Sequence, residues 1–137
     1  MFEISKTDNK LEISFSAALK NIDKAAEETK SFLVMINKKE HTFNTVLVMR
    51  EGLINAVIHG NKCDENKTVM YKLIFENQYL KMNISDEGNG FDWKKMFEKE
   101  ADSTADCGRG LFIMKTYSSF MEYNQIGNQL LLSLKLI

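Results

Sequence analysis

Three polar side chains recur every four residues in an otherwise apolar segment: Glu51, Asn55 and His59. Four residues advance an α-helix by just over one turn, so these side chains would form one slowly drifting row. A row of this kind usually faces solvent. Here the intervening residues are apolar, Leu53-Ile54 and Ala56-Val57-Ile58, which leaves the helix little surface for bulk water. A carboxylate and an amide in that setting need polar partners, which makes the segment a candidate site.

A second candidate is Asp86, at the end of the segment 80–86. Side chains alternate along a strand, so Asp86 would share the core-facing side with three apolar residues, Leu80, Met82 and Ile84. A buried carboxylate must accept hydrogen bonds, and the exocyclic amine of adenine would supply one. The glycines that follow, Gly88 and Gly90, free the backbone from side-chain bulk and permit the close approach of a flat ring. The alternative is an aspartate that caps a turn before glycine.

A third candidate is the glycine-rich run 107–114, which reads Cys-Gly-Arg-Gly-Leu-Phe-Ile-Met and leads directly into an apolar helix. Backbone amides at the start of a helix, together with its dipole, form a natural phosphate cradle, and Arg109 could add a forked donor. The alternative is an ordinary flexible hinge. The P-loop sequence and the His-Arg-Asp and Asp-Phe-Gly elements of ordinary protein kinases are missing, so any ATP chemistry here belongs to another fold.

Hydrophobic periodicity supplies the elements that would position these residues. Two-residue alternation predicts a hairpin of strands at 2–5 and 11–15, a second hairpin at 68–76 and 79–86, and late strands at 119–124 and 130–137. Helical spacing predicts helices over 17–37, 42–59 and 110–117, with Gly60 ending the second. The apolar stripe of that second helix comprises Phe43, Val46, Leu47, Leu53, Ile54 and Val57.

The segment 92–106 follows the second hairpin and precedes the glycine-rich run. It is polar and mixed in charge, with only Trp93, Met96 and Phe97 as apolar anchors. Connecting segments of this composition are typically mobile and carry function, so the sequence predicts a flap that acts as a lid over a bound ligand.

Composition bounds the class of protein. A chain of 137 residues with 44% hydrophobic residues has the size and the core of one domain, so 1–137 is interpreted as a single domain. Eighteen basic residues nearly cancel nineteen acidic ones, which argues against direct nucleic-acid binding. No apolar run approaches the roughly 20 residues of a membrane span and no signal peptide is evident, so we expect a cytoplasmic protein without a membrane partner. Cys63 and Cys107 form no Cys-x-x-Cys pair, which predicts reduced thiols.

The order of the motifs resembles the Bergerat ATP-binding fold, which is shared by type II topoisomerases, a chaperone family, mismatch-repair ATPases and sensor histidine kinases. Its signature is a helix with Glu-x-x-x-Asn, then Asp-x-Gly-x-Gly, a lid, and Gly-x-Gly opening a helix, and this chain has all four in order. The segments 55–61, 86–92 and 108–114 are also similar to those of the bacterial anti-sigma-factor serine kinases. The resemblance implies a two-layer α/β sandwich whose mixed, mostly antiparallel sheet backs the helices, with the nucleotide between the helices and the lid.

The resemblance also implies roles for individual residues. Asn55 corresponds to the magnesium ligand and Asp86 to the partner of adenine, and a glutamate at the position of Glu51 is the general base in that family. The nucleotide-binding residues implied in total are Asn55, His59, Asp86, Gly88, Gly90, Gly108, Arg109, Gly110 and Leu111. Alternatives stay open for three side chains: Lys62 and Arg109 contact phosphate or remain solvent charges, and His59 contacts nucleotide or lid or simply finishes its helix.

The implied function is that of a protein kinase that binds ATP with Mg²⁺, transfers the γ-phosphoryl group to a serine of an anti-anti-sigma factor, and sequesters a sigma factor. A homodimer is implied as well. The alternative is an ATP-responsive binding module without chemistry; the catalytic fragment of a histidine kinase is disfavoured because no helical hairpin is attached. Related kinases carry an acidic Met-Asp-Glu-type stretch where this chain has the segment 117–122, Tyr-Ser-Ser-Phe-Met-Glu, so the partner-facing surface is expected to differ.

Overall fold

The structure, a computed structural model, describes residues 1–101 and 109–137. The strands of the described chain are β1 (Phe2–Lys6), β2 (Lys10–Ser16), β3 (Thr68–Glu76), β4 (Tyr79–Ser85), β5 (Phe120–Tyr123) and β6 (Gln129–Lys135). Its α-helices are α1 (Leu19–Met35), α2 (Thr42–Ile54), α3 (Trp93–Ala101) and α4 (Gly110–Tyr117). A short 3₁₀ turn, Lys39–His41, precedes α2, and a π-helical turn, Asn55–Gly60, follows it directly.

The strands form one sheet in the order β1-β2-β3-β4-β6-β5. The two-layer α/β fold is thereby confirmed, but every neighbouring pair of described strands is antiparallel, so the sheet is not mixed. The connections between strands explain why the sheet is antiparallel and not mixed. Three of the pairs are hairpins, which join antiparallel strands. The connection from β2 to β3 runs out along α1 and returns along α2, so β3 starts at the end of the sheet where β2 stops, and Ser16 pairs with Thr68.

Alternation along the strands places every second side chain on the face that the helices cover. Leu11, Ile13 and Phe15 of β2 are buried there, in one hydrophobic core that also includes apolar residues of α1, α2 and α4. The opposite face exposes Met70 and Leu131 and carries no helix in the described part of the chain. The described residues therefore form one sheet layer and one helix layer around a shared core.

The apolar stripe of α2 is only partly as predicted. Leu53 and Val57 are fully buried, but Phe43 is 75% exposed. At about 100° per residue, the ten positions between Phe43 and Leu53 turn the two side chains about 80° apart on the helix surface. Phe43 also stands in the first turn of α2, which begins at Thr42. The prediction that Phe43 faces the core was therefore wrong.

Part of the segment predicted to be a flap is helical. Helix α3 packs on α4, where the ring of Phe97 stacks on that of Phe112 with 6.1 Å between centroids. The three apolar anchors of the segment, Trp93, Met96 and Phe97, have the i, i+3, i+4 spacing of an amphipathic helix, and this was the signal for helix formation. Residues 102–106 of the predicted flap, and Cys107 and Gly108, lie outside the described residues.

No described helix combines the length and the hydropathy that a membrane crossing requires. Cys63 is an exposed free thiol.

Leu53→Ala should lower the free energy of unfolding by about 2–5 kcal/mol, because it removes buried methyl groups and leaves a cavity between α2 and the sheet. The matched variant Phe43→Ala removes a larger side chain from the same helix, yet should change stability by less than about 0.5 kcal/mol because that ring is exposed. Urea unfolding followed by circular dichroism measures both. Similar losses in the two variants would contradict this description of the buried face of α2.

Candidate functional site

The helix that carries the row of polar residues changes geometry at Asn55. The amide of Asn61 donates to the carbonyl of Ala56, five residues earlier, at 2.8 Å, which is the hydrogen bond of a π-helical turn. Such turns are rare in proteins, and those that occur are often found at functional sites. The wider turn also redirects His59, whose ring stacks on Phe91 with 5.7 Å between centroids. Only Glu51 and Asn55 of the predicted row therefore keep regular helical spacing.

The end of the π turn lies directly against the loop that follows β4. A side chain at Gly88 would overlap the carbonyl oxygen of Gly60, and a side chain at Gly60 would overlap the Asp86 carboxylate. Neither collision can be relieved by a flexible side chain alone, since backbone atoms block the first and a short carboxylate fills the second. The two glycines thus permit a close approach of the helix end and the strand end. At Gly88, glycine is required by the contact with Gly60, whether or not a ligand is bound.

Asn61, which is fully buried, fixes the same approach with two hydrogen bonds. Its Nδ2 donates to the carbonyl of Thr68 at 3.0 Å, and its Oδ1 accepts from the amide of Glu87 at 2.8 Å. The side chain thereby joins the end of the π turn to the start of β3 and to the loop after β4. Sequence reasoning did not select Asn61, because its partners belong to two other elements, the start of β3 and the loop after β4.

Asp86 is half-buried at the end of β4, and its Oδ1 accepts a hydrogen bond from the amide of Gly88 at 2.8 Å. The turn-capping interpretation is therefore correct for this oxygen. Burial raises the pKa of the carboxyl group, and the Gly88 hydrogen bond and the charge of Lys67 oppose that rise. The carboxylate is consequently under-compensated by its protein neighbours and suited to accept a further hydrogen bond.

Asn55 is 7% exposed, and its Nδ2 donates to the hydroxyl of Tyr123 on β5 at 3.4 Å. With the nitrogen engaged in this way, the amide oxygen is the atom that could bind a cation. Burial strongly raises the pKa of Tyr123, the hydrogen bond from Asn55 opposes the rise, and the charges of Asp86 and Glu100 add to it. Tyr123 therefore stays protonated and neutral at the point where helix, strand and loop meet.

Sequence reasoning also missed Tyr123. The neighbouring residues suggested only a strand, and a tyrosine on the core face of a strand is usually a packing residue. Its ring has Phe91 at its edge, with 5.2 Å between centroids, and Trp93 beside it at 5.8 Å. The aromatic group thus links β5 to the loop after β4 and to the start of α3.

Glu51 lies on α2 against the start of α4, since a side chain at Gly110 would come within 2.5 Å of the Glu51 Oε2 atom. Burial raises the pKa of the Glu51 carboxyl group, and the nearby charge of Glu100 raises it further. Glu100 comes from α3 and is 7% exposed; its Oε1 accepts a hydrogen bond from the amide of Phe112 at 3.2 Å. Glu100 was not predicted as a site residue, because it is one of several charged residues in that segment.

The other predicted nucleotide-binding residues occupy varied settings. Arg109 is half-buried, its guanidinium lies over the ring of Phe112 at 4.4 Å, and its Nε is buried without a hydrogen-bond partner among the described residues. Leu111 is fully buried in the core, which leaves its backbone as the part that could contact a ligand. Gly90 has a φ of 85°, and a side chain there would overlap the carbonyl of Ile126. Lys62 is exposed.

These groups suit an anion that arrives with its own cation. The first amides of α4 and the Arg109 guanidinium can bind an anion, and the Asn55 oxygen is a hard ligand of the kind that Mg²⁺ prefers. No cluster of three His, Cys, Asp or Glu side chains able to hold a metal occurs in the part of the chain that the structure describes. A divalent cation therefore fits this donor set as a companion of a bound ligand.

Comparison with known proteins agrees with this arrangement. A family model described as the histidine kinase-like ATPase domain matches residues 15–134. The anti-sigma F factors of Clostridium perfringens strains SM101, ATCC 13124 and 13 are each 23% identical to this chain over 120 residues. The matched segment covers 84% of this chain and 86% of each relative. The family match extends from β2 to β6 and contains every site residue named above.

Glu51→Gln should stabilise the protein at pH 8 and lose that gain as the pH falls below the ordinary glutamate pKa of 4.5. A pKa raised by folding means that the folded state favours the protonated carboxyl, so wild-type stability falls as the pH rises through the folded-state pKa. The neutral variant avoids this loss. Urea unfolding at pH 4 and pH 8 measures the difference, with Glu98→Gln on the exposed side of α3 as the control for loss of one charge. A larger gain at pH 4 than at pH 8 would contradict the stated environment of Glu51.

Proposed function

Since the chain belongs to the histidine kinase-like ATPase domain family, we propose that it is a magnesium- and ATP-dependent serine/threonine protein kinase that also acts as an anti-sigma factor. The observation that carries the kinase proposal is the partly buried Glu51 carboxylate, which lies against the first residue of α4 and about one helical turn from Asn55. The likeness to anti-sigma F factors supports the regulatory part of the proposal.

Family membership implies ATP binding, and the site suggests how the nucleotide is held. Asp86 would accept a hydrogen bond from the adenine amine, and the first amides of α4 would donate to phosphate oxygens. The Nε of Arg109, which has no hydrogen-bond partner among the described residues, adds a charged donor at the same helix start. Asn55 would supply one oxygen to Mg²⁺, which offsets the charge of the triphosphate.

Glu51 supplies the base that the proposed reaction needs. The serine hydroxyl of the substrate protein gives its proton to the Glu51 carboxylate while its oxygen bonds to the γ-phosphorus. The bond from that phosphorus to the β–γ bridging oxygen breaks, and ADP leaves. A base is most effective when its pKa lies near the working pH, and burial, the larger cause of the raised pKa of Glu51, moves it in that direction.

The proposed partners are a sigma factor and an anti-anti-sigma factor that carries the phosphorylated serine, both encountered in the cytoplasm. The end of α4 and the start of β5 expose Tyr117 and Phe120, in the stretch where related kinases carry acidic residues. Exposed aromatic side chains favour a more apolar contact with a partner at this position. An ATP-responsive module that binds its partner without chemistry is the second candidate.

A homodimer belongs to the same proposal. Strand β1 is at the edge of the sheet and pairs with β2 on one side only within the described chain. An open edge of this kind can pair with another chain, so the first hairpin is the place to test for a contact between two copies.

Glu51→Gln should lower the rate of phosphoryl transfer by about 10²–10⁴-fold and leave ATP binding nearly unchanged, because it removes the base and keeps the side-chain shape. The assay follows radiolabelled γ-phosphate from ATP to a small protein encoded beside this one. Glu98→Gln, on the exposed side of α3, should retain wild-type transfer. Wild-type protein that binds ATP but labels none of the neighbouring candidates would contradict the kinase and favour the binding module.

Mg²⁺ titrated into nucleotide-free protein should show no tight site by calorimetry, because one neutral amide oxygen is a weak ligand for an ion that gives up its waters reluctantly. In the presence of ATP the same titration should show binding that Asn55→Ala weakens. Tight binding without nucleotide would contradict the role proposed for Asn55.

A further inference from the structure

Helix α4 begins with a carboxylate already bound to its first turn. Phe112 is the third residue of α4, and its amide donates to the Glu100 Oε1 atom at 3.2 Å. The first hydrogen bond within the helix is that of Ile113, which donates to Arg109, so the Phe112 amide is one of those left without a helical partner. These amides and the helix dipole attract anions. Glu100 therefore occupies part of the place that a phosphate group would take.

The position of α3 holds Glu100 there. The ring of Phe97 stacks on Phe112, and the ring of Trp93, at the other end of α3, lies 5.8 Å from that of Tyr123. Both contacts fasten α3 alongside the site, and they bury the Glu100 side chain to 7% exposure. The packing of α3 thus places the Glu100 carboxylate at the Phe112 amide.

The contact has an electrostatic cost. None of the ion pairs between described residues includes Glu100, and the charge that acts on it across the site is the carboxylate of Glu51. The two carboxylates repel each other, since the charge of Glu100 raises the pKa of the Glu51 carboxyl group. Withdrawal of Glu100 from the site would relieve this repulsion.

We propose that Glu100 is an internal competitor for the phosphate groups of the nucleotide: its carboxylate occupies the amides at the start of α4, and ATP binds only when α3 withdraws it. The inference rests on the proposed nucleotide site and is independent of phosphoryl transfer. The apparent affinity for ATP equals the intrinsic affinity multiplied by the fraction of molecules in which Glu100 is withdrawn. Nucleotide binding is thereby coupled to the position of α3.

Glu100→Gln tests this competition, since glutamine keeps the shape and the hydrogen-bond acceptor but removes the charge. Calorimetry with excess Mg²⁺ should show ATP binding about three- to thirty-fold tighter than in wild type, the range expected for one charge at a helix start. Adenosine has no phosphate, so its affinity should change by less than about two-fold. Glu98→Gln on the exposed side of the same helix should bind ATP as wild type does.

Unchanged or weaker ATP binding in Glu100→Gln would overturn the inference and show that Glu100 only caps α4. Equal tightening of ATP and adenosine would also overturn it, because the effect would then not depend on phosphate. Wild-type protein supplies a second measurement, since Trp93 is the single tryptophan and reports on α3. ATP, but not adenosine, should change the fluorescence of Trp93. No change with saturating ATP would mean that α3 stays in place, which would overturn the inference.

These results are separable from those for the proposed kinase. Tighter ATP binding by Glu100→Gln in a protein that transfers no phosphate would support the competition and contradict the kinase. If the wild-type protein transfers phosphate but Glu100→Gln leaves the affinity for ATP unchanged, the kinase is supported and the competition is contradicted. Absence of ATP binding in both wild type and Glu100→Gln would contradict both.

Discussion

A backbone contact between the end of the π turn and the loop after β4 is the constraint on which the site depends. Gly60 and Gly88 leave no room for a side chain at this contact. Their absence of side chains lets the helix that carries Glu51 and Asn55 approach the strand end that carries Asp86 more closely than packed side chains would allow. Asn61 supports the same approach with hydrogen bonds to Thr68 and Glu87.

The charges around this contact are arranged for a ligand that brings a cation. Glu51, Asp86 and Glu100 are all acidic, and burial raises the pKa of the first two. The neutral, buried Tyr123 stands among them and receives the hydrogen bond that orients the Asn55 amide. Three carboxylates disfavour a bare anion, whereas a metal-bound triphosphate brings positive charge to offset them. The proposed nucleotide site would therefore favour the complex of nucleotide and metal over a free nucleotide, and in the proposed competition Glu100 lowers the apparent affinity for ATP.

The sequence predicted the parts of the fold and site that depend on local patterns. The strands, three of the helices and the candidate residues Glu51, Asn55 and Asp86 follow from periodicity and spacing, and the structure brings these residues to one region. The features that the sequence did not predict depend on contacts between different segments of the chain. Asn61 and Glu100 were missed because each accepts a hydrogen bond from a backbone amide of another segment, Glu87 and Phe112 respectively. The helical spacing within α3 was obscured by its charged residues. The π turn has no sequence signal of its own.

We propose that ATP binds where the π turn, the end of β4 and the start of α4 meet. Titration of ¹⁵N-labelled protein with ATP and Mg²⁺, followed by NMR, would locate the bound nucleotide. We expect the largest chemical-shift changes on the amides of Gly60, Asp86, Gly88 and Phe112 and on the side-chain amide of Asn55. Changes concentrated on the helix-free face of the sheet, around Met70 and Leu131, with the site amides unmoved, would contradict it.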